Sequence, residues 1–401
     1  MKKLSAIIML YSNLQYSEIP DSKIPELIKK SYEPVFDLIA KRPKTKILLG
    51  ITGRSLEILK KINPQVLDKL KNLVKNRKIY IVGGTYTNPI LPLIPEENRL
   101  KQIEKHKNLV NKFLKIKPIG FCPPEFAWSP SLSTTLKNFQ YQWSIIPQHL
   151  IDFSKILNEV AILKPKRKKY SAEIGAKILE RSWVQKILHL PIIGYLFYKE
   201  LGNTDHSPFY ILGTNSEIIG IPNNRSWTGF INMALKNVAL QSESKLKKYL
   251  TNQAQSGKGF FIPYLGDIEN IEYGGNSPIV ISIKDLERFL NIFEHSGFKI
   301  ETPQEYLAGL KIEKKIYIKS GTGEPTGTFD MWTKDPDNFI LEKMCEEIRI
   351  GLKDVKDHKR RLKIEKFLML AENADGRAWN PLPERRLACF RAAEKALNLL
   401  K

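Results

Sequence analysis

Short, continuous apolar runs alternate with longer amphipathic stretches through the first part of this chain, and that alternation leaves few folds open. Leu4–Leu10, Lys46–Ile51, Ile79–Gly83, Ile119–Phe121 and Trp143–Pro147 read as strands buried on both faces. Between them, Ile24 to about Ala40, Leu56–Asn76 and Pro95–Leu114 carry helical periodicity, with Pro25 suited to a first turn and Pro64 interrupting the second stretch. Strands separated by helices must lie parallel, with the helices packed outside a barrel or an open sheet. Polar and aromatic residues cluster directly after the first, third and fourth strands. In a parallel βα barrel this is the C-terminal face, where substrates sit.

Further along, Phe209–Ile221 reads as a strand pair with a turn at Gly213–Asn215, Lys245–Gln255 as a helix, and Gly259–Tyr264 as a buried strand with Asp267 just beyond it. Ser282 with Asp285, and Thr302 with Glu305, have the spacing of an N-cap and its acidic partner. A Gly/Thr/Pro-rich loop, Gly321–Gly327, precedes three helical stretches, Asn338–Leu352, Lys356–Leu370 and Glu384–Leu400. The expected organisation is a barrel over residues 1–310 and a helical region over 311–401 that packs on it and lends its loops to the cleft. Residues 151–205 break the pattern with the basic run Lys164–Lys169 and the apolar segment Trp183–Tyr198, interrupted by Pro191 and Gly194. They read as a lid or packing insertion, or equally as a plain hydrophobic connector.

A hydrophobic content of 42% over 401 residues is ample for a core. The net charge of +22 raises the question of a polyanionic partner, but the lysines are spread along helical patterns and mixed with acids, so no specific nucleic-acid partner is expected. Cys122, Cys345 and Cys389 have neither metal-type nor disulfide-type spacing, which points to a reducing compartment. The basic and apolar start, Met1–Leu10, could pass for a signal peptide; with no small-residue cleavage site after it, it reads as a first core strand. No run approaches the ~20 apolar residues of a membrane span. A cytoplasmic location without a membrane partner is expected, and the oligomeric state is left open.

The stretch Gly120-Phe-Cys-Pro-Pro-Glu-Phe-Ala-Trp-Ser-Pro130 places one carboxylate, Glu125, among prolines and aromatics at a strand end. A carboxylate in such surroundings is costly unless it is used, the plain alternative being a Glu that bends out to solvent at a turn. This stretch resembles the nucleophile motif of family-57 glycoside hydrolases. Gly83–Pro95 is similar to that family's second motif, and Gly266-Asp-Ile-Glu-Asn-Ile-Glu-Tyr-Gly274 to its fourth. Trp332–Asn338 and Glu372–Pro381 look like late motifs of archaeal-type members.

The resemblance implies a distorted parallel (β/α)7-type barrel with a C-terminal α-helical region, and a retaining enzyme of the α-amylase or 4-α-glucanotransferase type acting on α-1,4-glucans or maltooligosaccharides. It implies Glu125 as nucleophile and Asp267 as acid/base, with no metal and no cofactor. Period-two alternation cannot separate Asp267 from Glu269, and the family match makes Glu269 an orienting or structural neighbour, counted with the residues that contact substrate. Asn13, Asn88, Arg225 and Asp375 are expected to contact substrate, and Trp128, Trp332 and Trp379 to offer aromatic planes for sugar faces. The chain departs from the family where Ser12-Asn-Leu-Gln-Tyr16 replaces a His-x-His-type signature and where Asn88 stands before Pro89 in place of His or Glu. Two alternatives stand beside this reading. A polysaccharide deacetylase on a related barrel would need an Asp and two His around a metal, and the expected histidines are missing. A catalytically weak or inactive glucan-binding homologue would fit the substituted signatures.

Overall fold

The computed structural model describes residues 3–15, 19–152, 154, 205–213, 217–238, 241–274, 280–324, 327–378 and 381–401. The expected insertion at 151–205, the turn at Gly213–Asn215 and Trp379 lie wholly or largely outside the described residues. The strands are β1 (Ser5–Ala6), β2 (Ile8–Ser12), β3 (Ile47–Ile51), β4 (Ile79–Val82), β5 (Gly120–Phe121), β6 (Trp143–Pro147), β7 (Asp205–His206), β8 (Phe209–Leu212), β9 (Glu217–Asn223), β10 (Lys258–Phe261), β11 (Tyr264–Asp267), β12 (Lys299–Ile300) and β13 (Lys315–Tyr317).

β1 lies between β10 and β12, and β2, its continuation, between β3 and β11, all parallel. β3 pairs with β4, Gly83 beyond β4 bridges in parallel to Phe121 of β5, and the ladder continues through β6 to β9. Between β9 and β10 the ring is joined by a side chain, Asn223 Nδ2 donating to the Ile262 carbonyl at 2.8 Å. Among the described residues no backbone ladder crosses this seam. β7 runs parallel to β10 near it, while β8, antiparallel to β9, carries β13 outward as an edge. The strands expected to run the same way do so, and the residues after β5 and at the end of β11 emerge at one rim.

Along each strand, alternate residues serve two cores. Ile7, Met9, Leu48, Val82, Trp143, Ile145, Ile221 and Phe260 fill the barrel interior. Ile8, Leu10, Ile47, Leu49, Ile79, Ile81 and Phe261 face the surrounding helices. Double burial is the physical reason that these segments appear in the sequence as unbroken apolar runs. The expected capping box forms at Thr302 with Glu305, and Ser282, expected as an N-cap, forms a second one with Asp285.

Two elements differ from expectation. The first helix is α-helical over Ile24–Leu27, π-helical over Ile28–Tyr32 and α-helical again over Glu33–Lys41. The wide turn sits ahead of Pro34, which has no N–H and whose ring would crowd the carbonyl of an ordinary helix. The single strand expected at Gly259–Tyr264 is split into β10 and β11 around Ile262 and Pro263, since proline cannot donate to the ladder.

The C-terminal helices, Pro336–Gly351, His358–Ala371 and Pro383–Leu400, share a core that includes Leu341, Cys345, Ile348, Leu368, Ala393 and Ala396. They dock on the loop after β4 and on the helix Glu96–Leu114. Thr87 Oγ1 and Gln102 Nε2 donate to the Met369 carbonyl at 2.7 and 3.2 Å, and Ala374 N donates to the Asn88 carbonyl at 3.2 Å. Buried Glu372 accepts from Asn98 and, at 3.4 Å, from Gln102.

The backbone of β5 passes so close to β6 that a Cβ at Gly120 would lie 2.0 Å from the Trp143 indole, whereas one at Gly229, exposed on the helix Ser226–Leu235, meets nothing within 4 Å. Gly120→Ala is therefore expected to destabilise by roughly 1–3 kcal/mol through overpacking, and Gly229→Ala to stabilise by roughly 0.5–1 kcal/mol. Chemical denaturation of the two variants checks this. Equal effects would mean that the β5–β6 contact is not tight.

Candidate active site

The Glu125 carboxylate is set by an unusual backbone. After β5, Pro123 keeps the chain extended, but Pro124–Phe126 closes into a 3-10 turn in which Glu125 (φ 51°) and Phe126 (φ 50°) are both left-handed. Neither side chain favours that region, and each such residue costs on the order of 1–3 kcal/mol. Flanking contacts hold the turn in place. Cys122 N donates to the Gly83 carbonyl at 2.9 Å, and Phe126 N and Ala127 N donate back to the Pro123 and Pro124 carbonyls, also at 2.9 Å. Gly323 N donates to the Glu125 carbonyl at 2.8 Å, and Trp128 and Gly321 exchange backbone bonds at 2.7 and 3.0 Å.

Asp267 ends β11 on the same rim. Opposite β2, Tyr264 aligns with Met9 but Asp267 with Tyr11, so β11 carries one extra residue there. Gly266, at φ 104°, has the conformation such a bulge requires. The bulge turns Asp267 so that its Oδ1 accepts from Tyr264 Oη at 2.9 Å. The chain then enters the 3-10 turn Ile268–Asn270, so period-two alternation does not apply and the two acids separate. Asp267 is half-buried, whereas Glu269 is fully buried. Glu269 Oε1 accepts from Asn13 N at 2.7 Å and from Tyr32 Oη in the π turn; Tyr32 Oη also lies 2.6 Å from Ser12 Oγ. Glu269 is thus enclosed by structural partners. That placement corrects its expected role in contacting substrate.

Asp375 reaches this rim from the helical region. Its Oδ2 accepts from Asn13 Nδ2 at 2.7 Å and from Asn88 Nδ2 at 3.2 Å, while Asn88 Oδ1 accepts from Tyr11 Oη at 3.0 Å. Asn88 is left-handed (φ 71°), a conformation asparagine tolerates better than most residues. Arg225, at the start of the helix after β9, donates from Nη1 to Glu324 Oε1 at 2.9 Å and to the Gly323 carbonyl at 3.1 Å, and lies over the Phe126 ring at 5.5 Å from its centroid.

Two of the expected aromatic planes are corrected. Trp128 is fully buried with Phe121, Leu132 and Leu136, and Trp332 is buried among Ile90, Ala127, Ala374 and Ala378. Neither offers a face to a sugar; Trp332 instead cements the helical region to the loop that carries Glu125. Conversely, Tyr11, Tyr32, Tyr264 and Glu324 were not singled out from the sequence as site residues. Tyr11 lies in β2 but directly follows the apolar run Leu4–Leu10, so it could have been read from that position. Glu324 lies in a Gly/Thr/Pro-rich loop with no local signal.

Acids crowd this rim, and their titration reflects it. Burial pushes Glu125 up to about 8, with Glu324, Asp375 and Asp267 adding to the rise and Arg225 opposing it. Burial also raises Asp267, against the Tyr264 hydrogen bond and Arg225. It raises Asp375 to about 7 against its two asparagine donors. Glu269 is pushed to about 8, first by burial and then by Asp267. Among the described residues its Oε2 has no hydrogen-bond partner, so that oxygen is the natural place for the proton.

A carboxyl whose folded value is raised from the ordinary ~4.3 stabilises the fold below that value and loses the contribution as pH rises toward its folded value. Glu269→Gln copies the neutral acid in shape. It should therefore gain in melting temperature relative to the parent as pH rises from about 4, with the gain levelling off above about 8. An equal loss of melting temperature at pH 5 and pH 8.5 would show that Glu269 is needed as a charge.

The family model for Glycosyl hydrolase family 57 matches residues 9–319. An alpha-amylase of Pyrococcus horikoshii is 29% identical over 126 residues, which cover 31% of this chain and 20% of that protein. The crystal structure of a 4-alpha-glucanotransferase from Thermococcus litoralis superposes with a TM-score of 0.73 at 17% identity, over 100% of this chain and 60% of that one. A GH57-type branching enzyme from Pyrococcus horikoshii superposes with a TM-score of 0.63 at 15% identity, over 100% of this chain and 88% of that one. The chain thus matches only about a fifth of the curated amylase and spans well under two thirds of the glucanotransferase. The family match runs from β2 through β13 and takes in both rim carboxylates, and by it this chain belongs to glycoside hydrolase family 57.

Proposed function

We propose that this chain is a retaining glycoside hydrolase or transglycosylase acting on α-1,4-glucans, with residues 1–310 as the catalytic barrel and 311–401 completing its cleft. The observation that carries the reading is the pair of half-buried carboxyls, Glu125 and Asp267, set on one rim by a strained turn and a bulge, with the Asp267 charge felt at Glu125. Family membership and the activities named for the amylase and glucanotransferase relatives support the substrate class. The free thiols of Cys122, Cys345 and Cys389 favour a reducing compartment and support a cytoplasmic location.

In this mechanism the Glu125 carboxylate attacks the anomeric carbon while the bond to the leaving oxygen breaks, and that oxygen takes the proton of the Asp267 carboxyl. Asp267, now ionised, accepts a proton from water or from an acceptor sugar hydroxyl. The freed oxygen attacks the anomeric carbon and releases Glu125, so two inversions retain configuration. Burial of Asp267 keeps the proton available for the first step, and the Tyr264 hydroxyl orients its carboxyl. Asp375, Asn13 and Asn88 present a connected set of hydrogen-bonding groups beside them for sugar hydroxyls.

Purified protein incubated with maltooligosaccharides should shorten them if water is the acceptor and disproportionate them if sugar is; unchanged chain lengths would sink the enzymatic reading in favour of binding alone. Glu125→Ala should abolish turnover, and azide should restore it as a glycosyl azide of inverted configuration. Asp267→Ala should spare the glycosylation step for substrates with good leaving groups. If Glu269→Ala shows that leaving-group dependence instead, the acid/base assignment is reversed. Because Glu125 must be ionised to attack, the acid limb of kcat/KM should lie near its value of about 8, well above the ordinary glutamate range.

A further inference from the structure

The loop Gly321–Glu324 joins the barrel to the helical region, and several contacts press it against the Glu125 turn. Its backbone bonds to Trp128 and to the Glu125 carbonyl, and His149 Nε2 lies 2.8 Å from the Thr322 carbonyl. Its last described residue before position 327 is Glu324, 5% exposed, and the charged group that meets it is the Arg225 guanidinium at 2.9 Å. Arg225 also donates to the Gly323 carbonyl of the same loop and covers the ring of Phe126, the residue after Glu125. One cation therefore meets the Glu324 carboxyl directly while lying against the residue that follows Glu125.

We propose that Glu324 is a positioning residue of this site: by engaging the Arg225 guanidinium it limits how much of that positive charge serves Glu125, and so governs the ionisation of the nucleophile. The inference rests on the assignment of Glu125 given above and adds a residue outside the motifs that carried that assignment. The groups facing Glu125 are Arg225, Glu324, Asp375 and Asp267, together with the Tyr11, Tyr264 and Cys122 side chains; His149 faces Arg225 from the end of β6. Among the carboxylates, Glu324 acts most strongly on Glu125, after burial itself. It acts in two ways with one sign. Its own charge opposes a second negative charge nearby, and it draws off the cation that would favour one.

The structural consequence is a division of labour. Arg225 is held through Nη1 where it supports the loop, and its charge acts on Glu324 first and on Glu125 next. Substrate entering the cleft changes this sharing, because displacement of water strengthens every charge interaction on the rim.

The test uses the full chain. Glu324→Gln keeps a hydrogen-bonding oxygen for Arg225 and removes the charge. The titration of Glu125 can be followed directly by carbon NMR of protein labelled at the glutamate side-chain carboxyl, with its signal assigned by loss in Glu125→Gln. The midpoint should move to lower pH in Glu324→Gln and to higher pH in Arg225→Met, and the acid limb of kcat/KM should move with it. Glu324→Asp should restore much of the parent titration. An unchanged midpoint in Glu324→Gln, with folding intact by melting temperature, overturns the proposal and leaves Glu324 as a loop anchor. The NMR readout needs no turnover. A protein that fails to act on glucans but shows the shift would therefore refute the glycosidase reading without refuting this one.

Discussion

Placing two consecutive non-glycine residues, Glu125 and Phe126, in left-handed backbone is the constraint around which the site is built. Such a turn persists only where surrounding structure overdetermines it. Here the determinants come from three directions: the β4–β5 rim through Gly83, the prolines of the turn itself, and the loop Gly321–Glu324 that leads to the helical region. The two prolines narrow the unfolded ensemble of the same segment, so part of the cost is offset before folding begins. What the strain secures is direction. A glutamate on a regular strand would alternate into the apolar interior or outward toward helices, whereas this one stands on the rim.

The second organising feature is an excess of buried acid. Glu125, Asp267, Glu269 and Asp375 are all pushed upward by burial, and they meet neutral donors more often than cations: Tyr264, Tyr32, Asn13 and Asn88. Neutral donors orient a carboxyl without fixing its charge. A rim assembled in this way can hold protons near neutrality, which suits chemistry that needs one acid and one base at once. Arginine in place of either asparagine would have locked Asp375 in its ionised form.

Much of this was legible in the sequence, for identifiable reasons. Strands buried on both faces leave unbroken apolar runs, and capping boxes leave fixed spacings; both appear where expected. Asn13 and Asn88 were visible because each follows a strand. Trp128 and Trp332 were not legible as core residues because an indole in a motif-like loop is the same in sequence whether it faces solvent or, like Trp332, glues two layers together. The π turn at Ile28–Tyr32 and the bulge at Gly266 were not visible, since each depends on a partner far away in the chain: Glu269 for Tyr32, and β2 for Asp267. Glu324 gains its meaning only from Arg225, 99 residues earlier.

The single oxygen of Asp375 that receives both asparagine amides has a consequence for how this protein comes apart. Asn13 follows β2, Asn88 follows β4, and Asp375 belongs to the helical region, so three remote parts of the chain converge on one atom. The barrel has its own core, and so do the helices. Separation of the two layers on warming would dissolve the polar rim while leaving most helices and strands intact. Loss of the cleft and loss of secondary structure are then distinct events, and the working range of the site is set by the adhesion of the two layers.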